Sequence, residues 1–488
     1  MADPRVTVRM YQGLMGDCFL LRLFDANADG RNGVAAANIL IDCGVLQNVP
    51  DEAARIARVT ADIAAITGGH IDLLVVTHEH YDHVSGFGHA RSLFLDGGLT
   101  IGTLWLAWTE RAGNEQADAL RKVFAQTRKA VQAGVQRIRL AGEELAGGGE
   151  GLEDFLGPQD GLAVSTAGLT VAQIIDGLKE RVRPAPEDYL EPGTVRTTPG
   201  KLGLRAYVLG PPHDEDLLFR DRPSRKLGEG ETYFGAWMRE AFEIEQNFAP
   251  ASGRSLLNMP FGSVYGHVAD KPFLDEGNPG PAPEDPAAAH ALWRVRQKYL
   301  DDPERMIGSA WHGAVSQLAI KLDSDTNNAS LVLAFELSPG GDIMLFAADA
   351  QVGNWLSWHE QNYPADDQGT GLRVTAGELL ARTTLYKVGH HGSHNATLRA
   401  LGLELMTSDR LTALVPVMEE LAERRRWGMP FSAMYERLVE KCRGRVLRGD
   451  RPPDPAVLAA QPDFEARIRI DPAPDAKLGP AWIEYDAS

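Results

Sequence analysis

The stretch IDLLVVTHEHYDH, residues 71–83, decides how this chain is read. Its first half is a continuous apolar run that ends in polar residues, which suits a strand buried on both faces. Its second half places His78, His80 and His83 within six residues, with Asp82 among them. The chain holds 13 histidines, so such crowding is not a matter of composition. Imidazole and carboxylate are the usual protein ligands of zinc, and they also suit manganese or iron. Ligands on a loop after a strand are free to converge, whereas residues along a strand alternate between faces. The buried strand holds that loop rigid, as metal geometry requires. The spacing H-x-H-x-D-H therefore points to a metal site. Glu79 and Tyr81 alternate away from it.

Working outward, short apolar runs at 6–11, 18–24 and 38–44 read as strands, and residues 51–67 have the apolar spacing of a helix. Further strands are expected at 102–108 and 204–210, and helices at 112–138 and 170–182. SLVLAFEL (330–337) and DIMLFAAD (342–349) are joined by Ser-Pro-Gly-Gly, a hairpin signal. TTLYKVG (383–389), RLTALVPV (410–417) and AWIEYDA (481–487) complete the strand candidates. The class is mixed α/β.

The 488 residues carry 49 Lys and Arg against 67 Asp and Glu, a formal charge of −18. That balance excludes a simple basic nucleic-acid module. It does not exclude a nuclease, because bound metal supplies positive charge locally. Three cysteines cannot build a disulfide framework. No secretory signal is visible, and no apolar run approaches the roughly 20 residues needed to cross a bilayer. The expected location is the cytoplasm.

The H-x-H-x-D-H string after a hydrophobic strand resembles the metallo-β-lactamase superfamily. Gly13-Leu14-Met15-Gly16-Asp17-Cys18 and Ile39-Leu40-Ile41-Asp42-Cys43-Gly44 narrow the resemblance to its ComEC-like, competence-protein branch. Asn327-Asn328-Ala329-Ser330, Phe346-Ala347-Ala348-Asp349-Ala350 and Leu385-Tyr386-Lys387-Val388-Gly389-His390-His391-Gly392-Ser393 follow in the order of that branch. The match covers about 1–110 and 327–417, with a weaker part at 201–213. Ala347-Ala348 stands where the branch commonly has Thr-Gly.

The resemblance implies a four-layer αββα sandwich. Its halves would be residues 1–213 and 327–417, with an insertion at 214–326 acting as lid or specificity element and an extension at 418–488. It also implies a ligand set. His78 and His80 would bind one metal, with His213 as the third ligand. Asp82 and His83 would bind a second, completed by one of His390 and His391. His390 is favoured because it comes first after its strand, which leaves His391 to act on substrate. Asp349 would bridge both ions. Asp17 and Asp42 would cap turns or orient ligands.

Two divalent cations are thus expected, zinc before manganese, generating hydroxide at neutral pH. Asp82, Asp349 and His391 are the expected catalytic residues. The branch is linked to DNA processing, so the implied activity is phosphodiester hydrolysis, nuclease action included. The alternatives are a small ester, lactone or thioester hydrolase with the same site, and a metal-stabilised scaffold or defence subunit. The acidic surface favours short, single-stranded or small phosphodiesters over long duplex DNA. No membrane partner is expected, since this chain lacks the membrane helices that accompany the domain in ComEC itself.

Overall fold

The computed structural model describes residues 5–25, 34–140, 168–220, 310–365 and 371–488. The chain divides into two compact units. One comprises Met1–Lys129, Gly151–Phe234 and Ala319–Ser488, and the other Ala130–Glu150 and Gly235–Leu318. Among the described residues the second unit holds helix only: the part of α3 (Glu115–Leu140) beyond Lys129 and the part of α5 (Ala310–Asn328) before Ala319.

The first unit is built on two large sheets. One contains β1 (Arg5–Tyr11), β2 (Cys18–Phe24), β3 (Ala37–Cys43), β4 (His70–Val75), β5 (Thr100–Ala107), β6 (Tyr189–Leu190), β16 (Ile468–Ile470) and β17 (Trp482–Asp486). Its order is β16-β17-β1-β2-β3-β4-β5-β6. The other contains β7 (Val195–Thr197), β8 (Arg205–Gly210), β9 (Val332–Glu336), β10 (Ile343–Phe346), β13 (Thr383–Lys387), β14 (Thr412–Val415) and β15 (Val446–Arg448), in the order β15-β14-β13-β10-β9-β8-β7. A separate small hairpin pairs β11 (Asn362–Pro364) with β12 (Arg373–Thr375).

Alternation along the strands sorts side chains between two cores. Val6, Val8 and Met10 of β1, Phe19, Leu21 and Leu23 of β2, Leu333 and Phe335 of β9, and Met344 and Phe346 of β10 share one core. Phe19 and Phe346 come from different sheets, and their rings meet edge to face at 5.7 Å. This is the layer where sheet packs on sheet. Intervening residues such as Leu20, Leu40, Leu345 and Tyr386 belong to a second core with the helices. Helix α1 (Glu52–Ile66) supplies Ile56, Val59 and Ile63, α2 (Tyr81–His89) supplies Val84 and Phe87, and α4 (Val171–Val182) supplies Ile174 and Leu178. The second sheet is covered in part by α6 (Val352–Trp358), through Val352, Trp355 and Trp358. The architecture is an αββα sandwich.

β4 pairs in parallel with β3 and β5, and its core residues are fully buried, as the apolar run requires. Residues 418–488, expected as an extension, contribute β15 to one sheet and β16 and β17 to the other. Of the expected insertion 214–326, residues 221–309 lie outside the described residues. Among the described residues, no helix is long and apolar enough to cross a membrane.

Candidate metal centre

Several segments converge at the ends of the two sheets. Residues 76–83 follow β4, 347–349 follow β10, and 388–391 follow β13. Asp17 precedes β2, and Asp42 is the last residue but one of β3. Two main-chain bonds lace these segments together: Asp17 N–H donates to Asp82 O at 3.0 Å, and Leu331 N–H to Thr77 O at 2.9 Å. Glycines permit the close approach. A Cβ on Gly16 or on Gly44 would run into the backbone of Asp82.

The histidine string faces inward. His78, His80, Asp82 and His83 are all at most 5% exposed. His78 Nδ1 lies 3.1 Å from Thr77 Oγ1, whose own proton goes to Asp42 Oδ2 at 2.6 Å. That arrangement puts the His78 proton on Nδ1 and leaves Nε2 as the donor atom. His78 Nε2 faces His80 Nδ1 at 3.2 Å. His83 Nδ1 donates to Asp42 Oδ2 at 2.8 Å, which turns its Nε2 toward Asp349 Oδ2 at 3.2 Å and Asp82 Oδ2 at 3.6 Å. Asp42 thus orients one imidazole directly and a second through Thr77, as ligating histidines require.

The ring of His391, expected to act on substrate, joins Asp82 and Asp349 in one group of donor atoms, and the favoured His390 is buried beside it, within reach of the charges of Asp349 and Asp82. His391 Nδ1 donates to Pro416 O at 2.7 Å, and its Nε2 stands 3.1 Å from Asp82 Oδ2. The chain turns through left-handed φ at both positions, 43° at His390 and 54° at His391. That turn gives the second imidazole to the cluster. His390 contributes its main-chain N–H, which donates to Asp349 Oδ1 at 3.0 Å. Ala348, where the related motif has Gly, also takes a left-handed φ of 46°. Among the described residues, three groups of side chains have donor atoms within 4.8 Å of one another: His78, His83 and Asp349; Asp17, Asp42 and His83; and Asp82, Asp349 and His391.

His213 is not brought to the cluster. Its ring stacks on Trp108 at 4.1 Å, its Nε2 is 2.7 Å from Glu191 Oε2, and its Nδ1 is 3.0 Å from Gln116 Oε1. The side chain is 46% exposed. Glu79 and Tyr81 also turn elsewhere, Glu79 to Arg128 at 2.9 Å and Tyr81 to Glu52 at 3.1 Å. Ser393 spends its hydroxyl on Asn395 Oδ1 at 2.6 Å.

Two residues of the cluster carry roles that no spacing argument assigns. Lys387 is buried, ion-pairs with Asp17, and lies 3.3 Å from Asp349 Oδ1 while donating to Ala348 O at 2.8 Å. It belongs to the LYKVGHH string, so only its direction was hidden. Asp323 sits in α5, 6% exposed, with Oδ1 3.9 Å from His80 Nε2. A lone acid inside a helix gives no sequence signal.

Burial and mutual charge set the protonation states. Burial pulls His83 down, but Asp349, Asp82, Asp17 and Asp42 outweigh it and leave its pKa well above the ordinary imidazole value. His391 is raised in the same way, by Asp82 and Asp349 against burial. Burial dominates at His80 and His390, lowering them to about 3 and about 4, and His78 is also held well below its usual value. Asp349 is held well below the carboxylate range, because His83 and Lys387 outweigh its burial. Burial lifts Asp17 to about 6, with Lys387 opposing. Burial, with Asp82 and Asp349 nearby, lifts Asp323 well above its usual value.

The donor set fits divalent cations. It consists of imidazole nitrogens and carboxylate oxygens at short mutual distances, and the buried Asp82 Oδ1 has no hydrogen-bond partner. Asp17, Asp42, Asp82, Asp323 and Asp349 are buried beside one buried ammonium, Lys387. In the metal-free cluster Lys387 and the raised His83 and His391 offset much of this charge, and a divalent cation would take the place of the imidazole protons.

Residues 34–165 match the family described as the Metallo-beta-lactamase superfamily. The matched stretch contains β3, β4, β5 and the complete H-x-H-x-D-H string. No curated protein and no solved structure matches the chain. Members of the matched superfamily are mostly hydrolases.

Proposed function

We propose that the protein is a metal-dependent hydrolase that cleaves phosphodiesters with two divalent cations, zinc in the first instance. The observation that carries this reading is the convergence of His78, His80, Asp82, His83, Asp349 and His391 from three separate loops into one buried cluster. His78 and His80 would hold one cation, Asp82, His83 and His391 the other, and Asp349 both. Bound there, such ions supply Lewis acidity toward a phosphoryl oxygen and make water a nucleophile at neutral pH.

The protein's own groups would do the positioning. Asp42, Thr77 and Pro416 O fix the rings of His83, His78 and His391. Lys387 and the His390 N–H hold Asp349 as a carboxylate in place. Asp82 keeps Oδ1 free of hydrogen bonds, and that atom would orient the attacking water. A rigid constellation of this kind supplies much of the rate advantage, since no reorganisation is needed during reaction.

Phosphodiester substrates are favoured by the ordered motifs that resemble the ComEC-like branch, from Gly13–Cys18 to Leu385–Ser393. Short single strands and small diesters suit the charge of −18, which repels a long polyanion until it is close to the metals. A cytoplasmic location accords with this reading. The test is a panel of single-stranded DNA, duplex DNA, bis-p-nitrophenyl phosphate, and ester, lactone and thioester substrates, each with zinc or manganese. Turnover of the phosphodiesters alone supports the proposal. Turnover confined to acyl substrates replaces it with the small-ester reading. A large loss of melting temperature on chelation, with no turnover of anything, favours a metal-stabilised scaffold.

A further inference from the structure

The main chain gives little support where the first ligands sit. Thr77 O still accepts from Leu331, and His80 O accepts from His83 and Val84 at the start of α2. Between them, among the described residues, neither His78 nor Glu79 makes a main-chain hydrogen bond. Metal ligands tolerate little looseness, so this stretch needs another hold.

The side chains that alternate with the ligands supply it. His78, His80 and Asp82 face the buried cluster, while Glu79 and Tyr81 reach helices elsewhere. Glu79 is 15% exposed and ion-pairs with Arg128 of α3 at 2.9 Å. A second pair, Lys179 with Glu110 at 2.5 Å, lies close enough for its charges to reach Glu79. Tyr81 is fully buried, and its hydroxyl donates to Glu52 Oε1 at 3.1 Å. His89 Nε2 meets the same oxygen at 2.9 Å. Glu52 is the first residue of α1, and Tyr81 and His89 are the first and last of α2. The ligand stretch is therefore pegged to α1, to α3 and to the far end of α2. Each peg is a hydrogen bond or ion pair to a charged group largely out of water, the kind whose loss is felt most.

We propose that Glu79 and Tyr81 are positioning residues of the metal centre, holding His78, His80 and Asp82 in place through Arg128 and through Glu52 and His89. The proposal rests on the metal-dependent reading above, and it has a directional consequence. Glu79 lies between His78 and His80, so loss of its peg acts on the cation those two residues would hold. Asp82, His83 and His391 keep their own supports in the Asp17 N–H, Asp42 and Pro416 O, so the other cation is affected less. Tyr81 separates His80 from Asp82, so loss of its hydroxyl acts on both.

Cobalt(II) titration of the full chain, followed by the visible d–d bands, reads this without an activity assay. Glu79→Ala and Arg128→Ala should each weaken one of two cobalt sites by about tenfold and alter its bands. The double variant should be no worse than either single one, because the two side chains act as a unit. Arg128→Lys keeps the charge and should restore most of the affinity. Tyr81→Phe and Glu52→Ala should weaken both sites. Arg128 and Glu52 lie outside the ligand stretch, so their variants carry the test if a change within it prevents folding. Arg5→Gln breaks a part-buried pair with Asp486 at the start of β1 and is the control for stability alone; both cobalt sites should survive it. Wild-type affinity and bands in the Glu79, Arg128 and Tyr81 variants would overturn the proposal. So would an Arg5→Gln chain that loses cobalt in step with its melting temperature just as they do. A wild-type chain that binds no cobalt would remove the metal-dependent reading, and this proposal with it.

Discussion

Asp42 Oδ2 stands 2.8 Å from His83 Nδ1 and also accepts the hydroxyl proton of Thr77 at 2.6 Å. One carboxylate that touches no expected metal position therefore fixes two of the imidazoles that do. Asp42→Asn keeps the size of the side chain and loses the charge. It should lower zinc affinity by about 10- to 100-fold while the chain stays folded. Competition against a fluorescent chelator, with circular dichroism as the folding control, measures both. Unchanged affinity would show that His83 is oriented by other means.

Gly44 is pressed against the main chain of Asp82 and His83, where a methyl group has no room. Gly44→Ala must push the histidine string outward. Overpacking of this kind costs about 1–3 kcal/mol. The melting temperature should drop and metal retention should drop with it, since the displaced residues are the ligands. A variant as stable and as metal-rich as the wild type would mean that the segment tolerates displacement.

The adjacent histidines should differ sharply. His391→Ala removes a ring nitrogen 3.1 Å from Asp82 Oδ2, so it should lose one bound ion. His390→Ala leaves the main-chain N–H that holds Asp349, so it should retain both. His213→Ala should also retain both, since its ring is engaged by Trp108, Glu191 and Gln116 and not by the cluster. Elemental analysis of the three variants side by side decides the point.

Metal uptake should release protons. In the metal-free cluster the carboxylates outweigh burial at His83 and His391 and raise both pKa values, so these rings keep their protons to higher pH than an ordinary imidazole. A cation must displace them. Raised values therefore make affinity climb with pH and fall as pH drops through them. His78 and His80 are neutral already and add nothing in that range. Calorimetry in two buffers of different ionisation enthalpy should show net proton release at pH 7. A binding heat independent of the buffer would contradict the assigned protonation states.

Much of the fold is legible in the sequence because long strands carry their own pattern. β1, β2, β3 and β4 are apolar runs with turn residues at their ends, and they form within a residue or two of where the pattern puts them. β6, β7 and β15 are two or three residues long, too short for periodicity to register, and exist only because a neighbour offers an edge. The strand at 481–487 is readable, but its place beside β1 is not, since nothing local encodes a partner over 400 residues away. The site divides similarly. His78, His80, Asp82 and His83 announce themselves by spacing. The preference for His391 over His390 depends on two left-handed φ angles, and two adjacent identical residues cannot reveal them. Asp323 is visible only when α5 is packed, because only packing buries it beside the cluster.

The most direct test of the central claim is elemental analysis of the purified chain after loading with zinc or manganese and desalting, with Asp82→Ala and Asp349→Ala alongside. The account predicts about two ions per wild-type chain, and fewer in each variant together with loss of hydrolytic activity. A wild-type chain that holds no divalent metal under any loading condition would contradict it.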